Sequence, residues 1–155
     1  MKQCVTLCGG FLALAMILPV AGCTGDGSPT LIPNADPALR RTSTELAADS
    51  AKRSYPANAP KEQKAIARAD YNLMDRKFDL ANTSDSDWKN VEVWINQEYV
   101  LSVPIFTRNS AETLNFELFY DQYGHHFQTY SGKNPVQSLQ IYHDGKMYDV
   151  VATLE

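Results

Sequence analysis

Three histidines, His125, His126 and His143, are the residues of this chain suited to metal or proton chemistry, and each stands beside a turn. Two imidazoles with a carboxylate from Asp121 or Asp144 could hold a transition metal. Neighbouring residues of a strand point to opposite faces, so His125 and His126 can face one ion only across a bulge. The plain reading makes all three solvated turn residues and assigns no metal. Trp88, Trp94 and Tyr99 are the candidate binding residues, as an aromatic platform for a sugar ring or a partner protein. The competing reading places them in a sheet core, where large aromatics usually belong. The acid pairs Asp85/Asp87 and Asp70/Asp75 lie in polar turns, with no second group poised to shift their pKa values as a glycosidase requires. Phosphate-cradling glycine loops, metalloprotease helices and nucleophile elbows do not occur, so no catalytic residue and no cofactor is assigned.

The other chemical residue type is cysteine, and all three (Cys4, Cys8, Cys23) fall within the first 23 residues. A disulfide framework further along is therefore excluded. Residues 1–22 carry one charge, Lys2, ahead of a 16-residue apolar run from Val5 to Val20. A bilayer-spanning helix needs about 20 apolar residues, so the run reads as a secretory signal with a basic flank. It ends in Val20-Ala21-Gly22-Cys23, which resembles the lipobox of bacterial lipoproteins. That resemblance implies diacylglycerol on the Cys23 thiol, cleavage between Gly22 and Cys23, and acylation of the new amino terminus. Two or three acyl chains make attachment stable, at about 0.8 kcal/mol per buried methylene. Thr24 stands where Asp would favour inner-membrane retention, which inclines the expectation towards the outer membrane.

The 155 residues have a net charge of -4, with 44% hydrophobic and 21% charged residues, an ordinary globular composition. Mild acidity argues against a nucleic-acid partner, which needs a basic face to displace phosphate counterions. From Thr24 to about Lys64 stand five of the eight prolines and one aromatic residue, Tyr55. Little apolar surface is available there to offset the entropy of ordering, so residues 23–69 read as a flexible tether. Short helices are expected over Glu45–Arg53, capped by Ser43 or Thr44, and from Pro60 to about Arg68.

Residues 70–155 hold most of the aromatics in short alternating runs. The expected strands are Tyr71–Leu80, Trp88–Ile95, Glu98–Ile105, Thr113–Tyr120, His125–Tyr130, Val136–His143 and Lys146–Leu154. Asn96-Gln97 forms a two-residue loop pairing Val93 with Val100 and Trp94 with Tyr99. Asp144-Gly145 forms a second, pairing Ile141 with Tyr148 and Leu139 with Val150. Gly124 takes a left-handed turn. Together these predict a mainly β fold, an antiparallel immunoglobulin-like β-sandwich of about seven strands, with a small open barrel as the competing architecture.

Asn82-Thr83-Ser84, Trp88 and Val91-Glu92-Val93, followed by Phe116-Glu117-Leu118-Phe119-Tyr120-Asp121 and Gly124, resemble the FxLYD-type sandwich domains of bacterial envelope proteins. The resemblance implies a fold and a location, and supplies no site residues. The expected function is a lipid-anchored envelope protein displaying a non-catalytic β-sandwich to a protein or glycan partner. The alternative is a metal-binding or hydrolytic envelope protein with its site near His125, His126 and His143.

Overall fold

The computed structural model of the chain describes residues 30–129 and 135–154. The segment read as a signal, the lipobox-like residues and both expected cleavage-site residues, Gly22 and Cys23, lie outside this range, as does Tyr130. Among the described residues, two sheets enclose the core. One holds β1 (Lys61–Glu62), β8 (Lys146–Asp149), β7 (Leu139–His143), β4 (Trp88–Ile95) and β5 (Tyr99–Phe106), in that order. The other holds β6 (Ala111–Asn115), β3 (Lys77–Asn82), β2 (Ala67–Asn72) and β9 (Val151–Leu154).

The mainly β character stands, but the antiparallel immunoglobulin-like arrangement of seven strands does not: the described residues form nine strands, and both sheets are mixed. β1 runs parallel to β8, and β2 runs parallel to β9. Local alternation shows which residues share a face, but not which distant strand completes a ladder. The parallel pairs join segments some 80 residues apart, beyond the reach of any turn signal. The C-terminal run expected as one strand serves both sheets: it pairs with β7 as far as Asp149, and from Val151 it pairs with β2.

The Asp144-Gly145 hairpin forms in the expected register, with Ile141 opposite Tyr148 and the Val150 amide donating to the Leu139 carbonyl. Both turn residues have positive φ, 48° and 75°, which suits the right-handed strand twist. The other hairpin slips by one. Asn96 and Gln97 do take positive φ, but Glu98 joins the loop, so Trp94 faces Val100 and Ile95 faces Tyr99. The run expected as one strand over Tyr71–Leu80 folds back at Leu73–Arg76, where Arg76 has φ 53°. Phe116–Leu118 is a 3-10 turn, where the FxLYD resemblance implies a strand. The strand expected at His125–Tyr130 is represented by a single bridge between Tyr120 and His126.

A further correction concerns the segment read as a tether. Over its described part it is built into the domain. Leu39 and Leu46 are buried in the main core, and β1 and the start of β2 fall before residue 70. The helix α1 (Ser43–Ser50) is there as expected, one cap earlier: the Thr42 hydroxyl accepts from the Glu45 amide, and the Glu45 carboxylate accepts from the Thr42 amide in return. These bonds, the backbone one foremost, hold the Glu45 carboxyl below its ordinary pKa. The helix expected from Pro60 does not form. Ala67, Ala69 and Tyr71 are buried while Arg68 is exposed, a period of two that a helix cannot satisfy.

The core fills the space between the sheets. Val91, Val93, Leu101 and Ile141 meet Ala69, Phe78, Leu80 and Leu114, and Phe116, Phe119 and Phe127 close one end. The Phe116 ring lies 5.4–6.4 Å from those of Tyr71, Phe78 and Phe127, distances at which tilted aromatic pairs attract. Each such side chain contributes about 2–3 kcal/mol by leaving water. At the other end Asn82 is buried with every polar atom of its side chain engaged. Its Nδ2 donates to the carbonyls of Ser86 and Phe106, and its Oδ1 accepts from the amide and hydroxyl of Ser84. Tyr71 is the contrast, because its buried hydroxyl has no partner among the described residues. Burial alone drives its pKa up. We expect Asn82→Ala to cost about 2–4 kcal/mol, by leaving buried carbonyls unpaired, whereas Tyr71→Phe leaves stability unchanged or raises it by up to about 1 kcal/mol. Urea denaturation midpoints check both.

Candidate functional site

The proposed aromatic platform is dispersed by the strand geometry. Trp88 is 1% exposed and packs edge-on against Phe106 at 5.3 Å, with its Nε1 donating to the Ser84 hydroxyl. Alternation from Val91 would place Trp88 on the outer face. It turns inward because β4 kinks at Asn90, φ 53°, opposite Pro104, which has no amide to donate. Lys89, Asn90, Pro104 and Ile105 are all exposed there. The register slip at the other end of the strand moves Tyr99 to the core face, where it meets Phe127 at 5.1 Å. Only Trp94 keeps the outer face, and it is 2% exposed.

What covers Trp94 is the segment that the sequence suggested was a spacer. Residues 41–55 cross the outer face of the five-stranded sheet, held by side chains that reach strands in turn. Arg41 Nη2 donates to the Ser102 carbonyl, and the Ser50 hydroxyl donates to that of Val100. Arg53 Nη1 meets Glu92 Oε1 at 2.6 Å, and the Tyr55 hydroxyl donates to Gln140 Oε1 at 2.7 Å. Gln140 passes the chain on to Asp149. Tyr55 stands edge-on to Trp94, with ring centres 5.5 Å apart. Asp49 bridges Arg41 and Arg53, and Glu92 also accepts from Trp94 Nε1. Burial lowers the Arg53 pKa, but hydrogen bonds to Asp49 and Glu92 outweigh it, and the net direction is up.

Beside this contact lies a cleft of about 190 Å³. Its walls are Arg53, Tyr55 and Ser50 from the covering segment, Trp94 and Glu98 from the β4–β5 hairpin, and Gln122. It combines an aromatic edge, exposed carboxylate and amide groups, and a guanidinium already held by two carboxylates. Such a recess can hold a small polar ring or a partner side chain by hydrogen bonding. It contains no nucleophile beside a base.

The three histidines are not brought together. His143 ends β7, while His126 reaches the same sheet through Tyr120 on the far side of β5, four strand positions away. At about 4.8 Å per position the separation is about 19 Å. His143 is tilted against Trp88 at 5.8 Å and touches Asp144. His125 is exposed, with its Nδ1 3.0 Å from Asp121 Oδ2. Among the described residues no three His, Cys, Asp or Glu side chains converge on a metal position. Among the described residues, the sheet order thus keeps His143 on β7 apart from His125 and His126, where the metal-binding or hydrolytic alternative needs them together. The acid pairs are surface groups: Asp85 and Asp87 are exposed, Asp70 pairs with Arg68, and Asp75 pairs with Lys77.

Asp121 has a structural part instead. Its Oδ1 accepts the backbone amides of Tyr123 and His125, closing the loop around Gly124, φ 87°. Burial raises its carboxyl pKa, yet the hydrogen bonds from His125 and Tyr123 prevail and hold it below the ordinary 3.8. A carboxyl whose folded pKa is depressed adds stability in full above its unfolded pKa, and that stability is lost as pH falls through the folded value. Asp121→Asn is expected to destabilise the protein near pH 7, with the difference narrowing below about pH 4; denaturation midpoints across that range check it. Removing the cover from Trp94 gives an independent test. With both tryptophans buried, emission is expected to be blue-shifted, and Tyr55→Ala is expected to move part of it to the red and expose it to a soluble quencher. No protein-family model matches the chain, and comparison with curated proteins and with solved structures finds no match.

Proposed function

We propose that the chain is a lipid-anchored protein of the bacterial cell envelope, held to a membrane by acyl groups on Cys23 and presenting a non-catalytic β module to an envelope protein or glycan. The observation that carries this reading is Val20-Ala21-Gly22-Cys23 closing a 16-residue apolar run behind Lys2. An apolar run of that length suits an export signal better than a bilayer span. A cysteine at its end supplies the nucleophilic sulfur on which a thioether to diacylglycerol can form. Thr24 inclines the protein towards the outer membrane.

The module's part is binding. The cleft between Tyr55 and the β4–β5 hairpin supports this, since its groups can donate and accept hydrogen bonds around an aromatic edge while none is arranged to attack a bond. Metabolic labelling with a radioactive fatty acid tests the anchor: the parent protein is expected to carry label and to sediment with membranes, and Cys23→Ala to lose both. A labelled Cys23→Ala protein would refute it. For the module, envelope material captured by the parent from detergent-solubilised membranes is expected to be lost with Tyr55→Ala.

A further inference from the structure

The turn between β2 and β3 carries two apolar side chains where turn chemistry asks for none. Leu73 is 50% and Met74 95% exposed. The turn itself is built by its neighbours: Asp75 donates its amide to Asn72 Oδ1, Asn72 Nδ2 donates to Asp75, and Arg76 takes the positive φ. The Leu73 carbonyl accepts the Arg76 amide, but the side chains of Leu73 and Met74 stand out into solvent. An adjacent exposed apolar pair is small by itself, and its position relative to the chain's N-terminal side gives it meaning.

The chain reaches the fold at this same end of the molecule. Asn34 Nδ2 donates to the Thr113 carbonyl, and Asn115 Nδ2 donates to that of Pro33. Tracing back from Asn34 to Pro33 thus moves along β6 from Thr113 to Asn115. Asn115 pairs with Lys77, and the next amide, that of Phe116, donates to the Arg76 carbonyl in the β2–β3 turn. Leu31, 51% exposed, bridges Thr42 at the start of α1. Only six residues, Thr24 to Pro29, separate Cys23 from Thr30. Fully extended, they place Thr30 within about 25 Å of Cys23. A domain of this size is about 35 Å across, so the anchor is shorter than the body it holds.

We propose that the β2–β3 turn docks on the lipid surface, with Leu73 and Met74 entering the headgroup–acyl boundary beside the anchor. The inference rests on Cys23 carrying acyl chains. Two apolar side chains bind a membrane weakly alone, but a short covalent anchor raises their effective concentration at the surface and makes the contact intramolecular. At the tip Asp75 pairs with Lys77 and Arg76 adds one positive charge, so the contact is mainly apolar and depends only weakly on salt. The opposite end of β3, where Asn82 meets the loop containing the exposed Arg108, then faces away from the bilayer.

The mature protein provides its own test. Cys4 and Cys8 leave with the signal and Cys23 is a thioether, so Met74→Cys introduces a single reactive thiol. The lipidated full-length protein, labelled there with an environment-sensitive fluorophore, is placed in vesicles of phosphatidylethanolamine and phosphatidylglycerol. The mass of the same sample reports whether Cys23 is acylated. The expected result is a blue shift of the label at position 74 and quenching by lipids carrying a doxyl group high on the acyl chain, both persisting in high salt. The same label at Arg108→Cys is expected to show neither. Adding Leu73→Asp to the Met74→Cys protein is expected to abolish the shift while the acyl mass remains. An acylated protein whose labels at 74 and 108 both report water overturns the docking and leaves the anchor standing. A protein without acyl mass overturns the anchor, and the docking with it.

Discussion

Asn82 is where the two sheets are made one body. It ends β3 in the four-stranded sheet, and its side chain takes the carbonyl of Phe106 from β5 and that of Ser86 just before β4. Its backbone exchanges bonds with the loop that leads from β5 to β6, donating to Ser110 and accepting from Asn109. A buried amide side chain offers two donors and one acceptor oxygen with two lone pairs, and here all four positions are used. Ser84, held by Asn82, then receives the Trp88 indole N–H, which sets the largest ring of the core at the start of β4. No apolar residue could meet these groups, so this crossing from one sheet to the other depends on a buried polar side chain.

The outer face of the five-stranded sheet is governed by a different kind of contact. There the chain from Arg41 to Tyr55 is laid across β5, β4 and β7 by hydrogen bonds and ion pairs rather than by a broad apolar stripe. The ionic chain from Arg41 through Asp49 and Arg53 to Glu92 is partly exposed, so each link adds little alone and the whole acts by fixing direction. The recess beside Tyr55 lies at the edge of this layer. The covering layer from Arg41 to Tyr55 is thus one device.

That device reassigns the role of residues 30–66. In the proposed anchoring at Cys23, a short connection rather than a long one restricts how the body can lie on the surface, and orientation then becomes a property of the fold's ends. One end has a self-satisfied polar turn bearing Leu73 and Met74; the other has the saturated Asn82 node and charged loops. The cleft lies beside the β4–β5 loop, lined by Tyr55, Trp94 and Glu98.

Much of this was written locally. The proposed anchor is read from the first 23 residues alone. The capping box at Thr42 and Glu45, the Asp144-Gly145 hairpin with its register, and the burial alternation of the strands follow from neighbours within about ten residues, where backbone geometry and side-chain period act directly. What tertiary structure decided is everything that depends on a distant partner. The parallel pairings of β1 with β8 and β2 with β9 leave no local trace, and Pro104 marks a kink without telling that Trp88 turns inward there. A proline-rich stretch poor in large apolar groups looks unable to fold, because its own composition cannot offset its entropy. It folds here because Leu39, Leu46 and Tyr55 bury themselves against surface that another part of the chain provides. The grouping of Arg53, Tyr55 and Trp94 at one cleft likewise exists only once that surface is in place, since side chains 39 or more positions apart in sequence meet through packing and not through period.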